Sequence, residues 1–447
     1  MASIPEISGL LLTEDSGAIV RVLRILEQTA GQRPAERAAQ QLAQLEGIVR
    51  LARLGTPHGR ERLPASLGEG PLTWERFRSI PLLTRAELQA QGERLELSRP
   101  PPGLKVTGST TTSGSTGMPV TSKSTWGLGV MTRALGLRMQ RAHGFDLDAP
   151  AAFITTPTPP GAADPPLGRK GGPWAAPAGS GPSLQLDLLA STDAQLDWLG
   201  SQRPPHLATY PSNLQALLMR SRERGLAPPG VRLIALSSEP IGEELLRLAA
   251  DVWGARVVAT YSANEVGAIA FSATDGQDLV VQSENVLVEV LRDDGSACEP
   301  GEVGRVVLTT LQDMLRPLIR YEIGDYAEVA PARPDSPVTL PRLRRVLGRE
   351  RTMIRLPDGR RVWPHFEFEP LLRLGCLRRW QLVQKSDLSI EVRVVPLSSG
   401  GLDEVARTAI GDVVRAALPG VEARVVEVAE IERGARGKYL ELISELG

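Results

Sequence analysis

Between Thr111 and Pro119 the chain reads Thr-Thr-Ser-Gly-Ser-Thr-Gly-Met-Pro. Gly114 and Gly117 let backbone N–H groups come close to an anion, while Thr112, Ser113, Ser115 and Thr116 offer hydroxyl donors. Such a run can wrap a polyphosphate. It is not a Walker loop, which needs Gly-Lys before Ser or Thr, because Gly117 is followed by Met118 and Pro119. Read alone, the same residues serve equally well as a flexible linker.

The basic residues carry a second signal. Only 5 of the 51 basic side chains are Lys. A Lys kept in such a chain marks a place for a compact ammonium, although codon bias would scatter a few at random. Cys298 and Cys376 stand far apart, and His58, His143, His206 and His365 show no HxxxH or CxxC spacing. A disulfide scaffold and a four-ligand thiolate metal site are therefore not expected.

These residues need elements to position them. Ile19, Val22, Leu23, Ile25 and Leu26 fall at helical spacing, which predicts two amphipathic helices between Ser16 and Leu54, joined near Gly31 and Pro34. From Lys105 to Val120 the small polar residues predict a loop, and the Pro, Gly and Ala of Pro157 to Pro182 predict a long irregular connection. Val231 to Ser237 reads as a strand, Gly242 to Trp253 as a helix and Arg256 to Tyr261 as another strand, a βαβ pattern. Asn285 to Leu291 and Arg305 to Thr310 then read as antiparallel partners joined through Asp-Asp-Gly.

After Gly348 the pattern restarts. Strands at Leu377 to Val383, Ser389 to Val395 and Val421 to Val428 flank a helix at Asp403 to Ala417. The expected organisation is a large N-terminal α/β domain with a β subdomain, residues 1–347, and a small mobile α+β lid, residues 348–447. Basic and acidic side chains, 51 and 52, nearly cancel, so no overall field draws nucleic acid or anionic lipid. The first 30 residues lack a basic start followed by an apolar run, and no later stretch approaches a membrane span. A cytoplasmic protein without nucleic-acid or membrane partners is expected.

Read together, the 111–119 run, Tyr-Ser-Ala-Asn-Glu at 261–265, Arg-Tyr-Glu-Ile-Gly-Asp at 320–325, Gly-Arg at 348–349 and Arg-Gly-Lys at 436–438 resemble, in order and spacing, the acyl-adenylate-forming superfamily. Ser-Ser-Glu-Pro-Ile at 237–241, Pro-Leu-Ile-Arg-Tyr-Glu-Ile-Gly-Asp at 317–325 and Val-Trp-Pro at 362–364 look like its phenylacetate-CoA ligase branch. The similarity runs from about Pro71 to the C-terminus. It implies ATP-dependent activation of a carboxylic acid as acyl-AMP, followed by transfer to a thiol.

The resemblance also distributes roles. The residues Thr112, Ser113, Gly114, Ser115, Thr116 and Gly117 would hold phosphates, and Glu265 would position Mg²⁺, which prefers hard oxygen ligands beside phosphates. Tyr261 would stack on adenine, with Ser262 beside it, and Ser238, Glu239 and Pro240 would line the adenine pocket at a strand's carboxyl end. Asp325, an acceptor-only carboxylate, would receive both ribose hydroxyls, with Arg320 orienting it. Arg349 would contact ribose or phosphate at the domain junction. Lys438 would bridge the substrate carboxylate and the α-phosphate. Each has a plainer reading: a solvated carboxylate, a strand-end aromatic, a helix-start proline, a surface arginine, a charge in the tail.

Phe153, Tyr210, Ser212, Ser237 and the 157–182 segment are candidate walls for the acid, which the resemblance suggests is aryl or arylalkanoic. The acceptor implied is coenzyme A, with an acyl carrier protein or an amine as rivals. Oligomeric state is left open, a homodimer included. Two positions depart from the superfamily pattern. Val120 stands where a lysine often follows the phosphate-loop proline, and Thr352 stands at the hinge where an acidic or otherwise polar and charged residue is usual. The second departure bears on thiol transfer more than on adenylation. Pro334 to Arg345 contains no Cys or His, so the zinc element of some relatives is not expected here. A non-catalytic nucleotide-binding relative is the rival from another class, and a dinucleotide-dependent dehydrogenase fits poorly because no GxGxxG opens the βαβ unit.

Overall fold

The computed structural model describes residues 4–12, 17–111, 121–156, 163–175, 179–349, 353–363, 377–396, 400–431 and 442–446. The chain divides into two compact units. The first comprises Met1–Pro150, Gly171–Ser183 and Val258–Val346, and the second Ala151–Lys170, Leu184–Val257 and Leu347–Gly447. No described helix is long and apolar enough to cross a membrane.

In the first unit, the helical spacing near the N-terminus gives helices Ala18–Thr29 and Pro34–Gly55. The stripe Val22, Leu23, Ile25 and Leu26 is buried against Val130, Met131, Ala134 and Leu135 of helix Trp126–His143. Each such side chain contributes about 2 kcal/mol of transfer free energy. The expected antiparallel pair is present, Val286–Leu291 against Val303–Thr310, and Val303–Thr310 pairs in turn with Tyr321–Val329. Leu279–Val281 lies antiparallel to Gly267–Ser272, which pairs with Arg256–Ala263. Ile269, Val281, Val306, Leu308, Ile323 and Leu343 form the core behind these strands.

In the second unit, Ala151–Thr155, His206–Thr209 and Leu233–Ser237 run parallel in register. Helices Thr192–Gln202, Pro211–Glu223 and Glu243–Trp253 supply Leu196, Leu199, Leu214, Leu217, Leu245 and Leu248 to a core that buries Ala152, Ile154, Leu207, Ile234 and Leu236. The C-terminal segment forms a four-stranded sheet ordered Ala423–Glu427, Ile390–Pro396, Leu377–Gln384, Leu442–Ser444. Helix Glu404–Ala417 packs Ile410 and Val414 on Trp380, Leu382 and Val392, a core separate from the preceding one.

Two expectations need correction. Val106–Thr111 is a strand, paired antiparallel with Thr121–Thr125, where a loop was expected from Lys105 onward. Its first five residues bury neither face, so no period-two apolar pattern marks it. Within the expected irregular connection lies strand Arg169–Pro173, and at its end begins strand Pro182–Asp187. The second of these buries Leu184 and Leu186 despite its Pro/Gly-rich approach.

Candidate active site

In the first unit, Glu265 sits in the turn joining strands Arg256–Ala263 and Gly267–Ser272. Their register shifts between Tyr261 and Ser262, an irregularity of the kind that re-aims side chains, and Gly267 takes the left-handed φ of +81° that closes the turn. Buried Asn285 locks it from outside, donating to the carbonyls of Ala268 at 2.8 Å and Val266 at 3.4 Å. Tyr261 is half-buried and Ser262 exposed.

Glu265 is buried, and Nη1 of Arg85 donates to its Oε1 at 3.2 Å and to the Tyr321 hydroxyl at 3.4 Å. Arg85 opens helix Arg85–Gln91 behind a capping box in which Thr84 and Glu87 satisfy one another's groups. The Leu83 N–H donates to the Arg320 carbonyl and the Glu322 N–H to the Leu83 carbonyl, so the segment before the helix lies alongside strand Tyr321–Val329. That strand carries Asp325. Its pairing with Val303–Thr310 passes from Val307↔Glu322 to Arg305↔Tyr326, leaving extra residues in a bulge with Gly324 at φ +86°. The bulge presents Asp325, 9% exposed, to the Tyr261 hydroxyl, which donates to Oδ2 at 2.7 Å.

Tyr261 thus meets Asp325, and Glu265 meets Arg85, whose second contact is with Tyr321 on the strand that carries Asp325. Arg320 does not orient Asp325 as expected. Its guanidinium binds both oxygens of Glu289 and the carbonyls of Arg78 and Ile80. A buried arginine needs a counter-charge, and Glu289, on strand Val286–Leu291 two places across the sheet, supplies it.

The residues Thr112, Ser113, Gly114, Ser115, Thr116 and Gly117 lie outside those described, as do Lys438 and Thr352. The stem of the 112–117 run is described: Thr111 faces Thr121 in the hairpin register. Arg316 clamps the returning strand, donating to the Thr121 carbonyl at 3.1 Å and the Ser122 hydroxyl at 2.7 Å. Asp313 shapes the turn that carries Arg316, accepting from the N–H groups of Leu315 and Arg316 at 3.0 Å each. Burial pushes the Asp313 carboxyl up to about 6. Lys123, on the same strand, lies 2.8 Å from Glu93 and from Glu96, whose hydrogen bonds hold its ammonium above the usual lysine range.

In the second unit the parallel strands align Phe153, Ala208 and Ala235 across one face. On that face Ala151, His206 and Leu233 are buried, whereas Phe153, Thr155, Tyr210 and Ser237, nearer the carboxyl ends, are half-buried. Carboxyl ends of parallel strands are where α/β sheets receive ligands. Ser238 follows, exposed, at φ +75°, a left-handed conformation costly for a residue with a Cβ, and Pro240 is exposed beside it. Between them, Glu239 accepts from the Ser212 N–H at 2.8 Å and the Ser212 hydroxyl at 3.1 Å. Its carboxylate therefore caps the first turn of helix Pro211–Glu223, where negative charge is favoured. Arg349, half-buried, ends strand Arg342–Arg349.

Sequence reading missed Arg85, Asn285 and Arg316. Each acts through a partner distant in sequence, and in a chain rich in Arg neither arginine stands out. Among the described residues no group of three or more His, Cys, Asp or Glu is placed to hold a metal. A single buried carboxylate still fits Mg²⁺, which is held by one or two carboxylates with substrate phosphates supplying the other ligands.

The sequence matches no family model and no curated protein. Among solved structures the fold is that of the adenylate-forming acid–CoA ligases. One is 2-hydroxyisobutyryl-CoA ligase in its postadenylation state with 2-HIB-AMP, at 19% identity over 94% of this chain and 91% of that one, TM-score 0.72. The same ligase with 2-HIB-AMP and CoA in the thioesterification state matches at 19% identity over 94% and 92%, TM-score 0.59. An anthranilate-CoA ligase with anthranoyl-AMP matches at 16% identity over 74% of this chain and 64% of that one, TM-score 0.54. At these identities the likeness is one of fold.

Proposed function

We propose that the chain is an AMP-forming acid–thiol ligase of the phenylacetate-CoA-ligase-like branch, activating an aryl or arylalkanoic acid with ATP and passing the acyl group to coenzyme A. The observation that carries this reading is the contact of Tyr261 with Asp325 beside the Arg85–Glu265 pair. It gathers residues of two of the recognised motifs, far apart in sequence, in one unit whose strands carry the ligase fold.

In the first half-reaction an oxygen of the substrate carboxylate forms a bond to the α-phosphorus of ATP, and the bond to the β-phosphate oxygen breaks. Pyrophosphate leaves and acyl-AMP remains. Asp325 holds the ribose hydroxyls, and the Tyr261 hydroxyl fixes the direction of its carboxylate. The Tyr261 ring is assigned to adenine, with Ser262 beside it, and Ser238, Glu239 and Pro240 are assigned to the nucleotide by their motif. The 112–117 run takes the phosphates through N–H and hydroxyl donors, its stem clamped by Arg316. Lys438 is assigned, by its motif, to offset the charge that grows on the carboxylate and the α-phosphate in the transition state. Glu265 would hold Mg²⁺, whose contribution when bound is to neutralise charge on the triphosphate.

In the second half-reaction the thiol sulfur attacks the acyl carbonyl carbon, the carbon–oxygen bond to AMP breaks, and the thiol proton passes to solvent. Residues 348–447 are assigned to a small mobile domain carrying Arg349 and Lys438. Phe153, Tyr210, Ser212 and Ser237 wall the acid, the two aromatic rings supporting an aryl substrate.

The test is product analysis with ATP, Mg²⁺, CoA and a panel of aryl, arylacetic and short hydroxy acids. Acyl-CoA and AMP in equal amounts with aryl acids are expected. Turnover of short hydroxy acids alone would overturn the aryl assignment. Acyl-AMP trapped by hydroxylamine, without acyl-CoA, would move the acceptor to a carrier protein or an amine.

A further inference from the structure

The pairing of Arg85 with Glu265 goes beyond the roles assigned so far. The Glu265 side chain is 4% exposed and that of Arg85 25% exposed, so a nearly dry carboxylate is balanced by a cation that still reaches water. Arg85 is the cation within ion-pair distance of Glu265 among the described residues. A buried carboxylate left without a counter-charge is strongly unfavourable, so this contact is required while nothing else occupies the site.

The contact is nevertheless built to be exchanged. One guanidinium nitrogen reaches one oxygen at 3.2 Å, well short of the bidentate fork that makes arginine–carboxylate pairs tenacious. Compare Arg320 on Glu289, where two nitrogens engage two oxygens from positions almost without solvent contact. The backbone beneath Arg85 is fixed by the Thr84–Glu87 capping box and the Leu83–Tyr321 bridge, so any displacement falls on the side chain. A carboxylate has about four lone-pair sites, and one guanidinium hydrogen bond leaves room for another ligand.

We propose that Arg85 is a positioning residue that acts through Glu265: its guanidinium stands in for the divalent cation until the metal–nucleotide complex arrives, and metal affinity is set by the exchange. The inference rests on the reading of Glu265 as the Mg²⁺-holding residue. The arginine and the metal compete for the same carboxylate oxygens, so removing the guanidinium leaves Glu265 free for the metal.

The test is Mn²⁺ binding, followed by electron paramagnetic resonance, to the full chain saturated with α,β-methylene-ATP. Arg85→Gln, which keeps a polar side chain without the charge, is expected to bind Mn²⁺ about tenfold more tightly, the change of one pKa-unit-sized interaction. Arg85→Lys is expected to stay near wild type. Glu265→Gln is expected to weaken binding, and adding Arg85→Gln to it should change nothing further, because the arginine acts only through the carboxylate. A role confined to holding the fold together would weaken binding in Arg85→Gln instead.

Unchanged or weaker binding by a folded Arg85→Gln, with Glu265→Gln impaired, overturns the inference and leaves the metal reading intact. Wild-type binding by Glu265→Gln overturns both. Should Arg85→Gln fail to fold, Arg85→Met, which keeps the apolar stem without the charge, takes its place: tighter Mn²⁺ binding supports the inference, and unchanged or weaker binding overturns it.

Discussion

Replacing Tyr261 by Phe removes one oxygen and keeps the ring. The lost bond is short, 2.7 Å, and ends on a carboxylate that is 9% exposed. Hydrogen bonds to charged groups are worth about 1.5–3 kcal/mol net. Water can reach the half-buried phenol side, which lowers the loss to about 1–1.5 kcal/mol, roughly tenfold in an equilibrium constant. If Asp325 accepts the ribose hydroxyls as proposed, the loss falls on nucleotide binding. The assay is acid-dependent pyrophosphate exchange at saturating acid, with KM for ATP measured for both proteins. KM for ATP is expected to rise about tenfold while KM for the acid stays within about twofold. An unchanged KM for ATP, or a rise confined to the acid, would refute the assignment of Asp325 to the nucleotide and of Tyr261 as the group that aims it.

Glu239→Ala should destabilise the protein by about 1–2 kcal/mol, as expected for a lost helix cap carrying charge, seen as a lower urea midpoint. Arg316→Ala frees the strand that returns from the 112–117 run, so KM for ATP should rise about tenfold, the loss of two side-chain hydrogen bonds, with secondary structure unchanged by circular dichroism. Asp313 takes up its proton in the folded state at about pH 6, above the ordinary aspartate value, so its contribution grows as pH falls from 7 towards 4 and is lost as pH rises. Asp313→Asn removes that dependence. Its stability advantage over wild type in urea titrations should therefore be largest at pH 7–8 and shrink steadily towards pH 4.

Much of the architecture is written in local patterns. The apolar stripe of Ala18–Thr29 and the alternation of strand Ile390–Pro396 carry their periods openly, because each buries one face against a near neighbour. Strand Val106–Thr111 does not, since pairing with Thr121–Thr125 holds it without burial and its Ser and Thr residues read as a loop. Asp325 and Tyr261 could be named from their motifs. Their contact could not, because it depends on a bulge at Gly324 and a register shift at Tyr261. Glu239 was named for the nucleotide, and what its carboxylate holds is Ser212, a partner brought near by the parallel strands. Arg85 has no local signature at all. It matters only because the Leu83 segment lies along strand Tyr321–Val329 and places it against a turn 180 residues away.

The central claim is acid activation through an acyl-AMP. It is tested most directly by exchange of labelled pyrophosphate into ATP, with Mg²⁺, without CoA, across aryl, arylacetic and short aliphatic acids. Exchange that depends on the acid and is lost in Lys438→Ala is expected. Silence across the panel by a protein that binds ATP, or exchange untouched by Lys438→Ala, would contradict it.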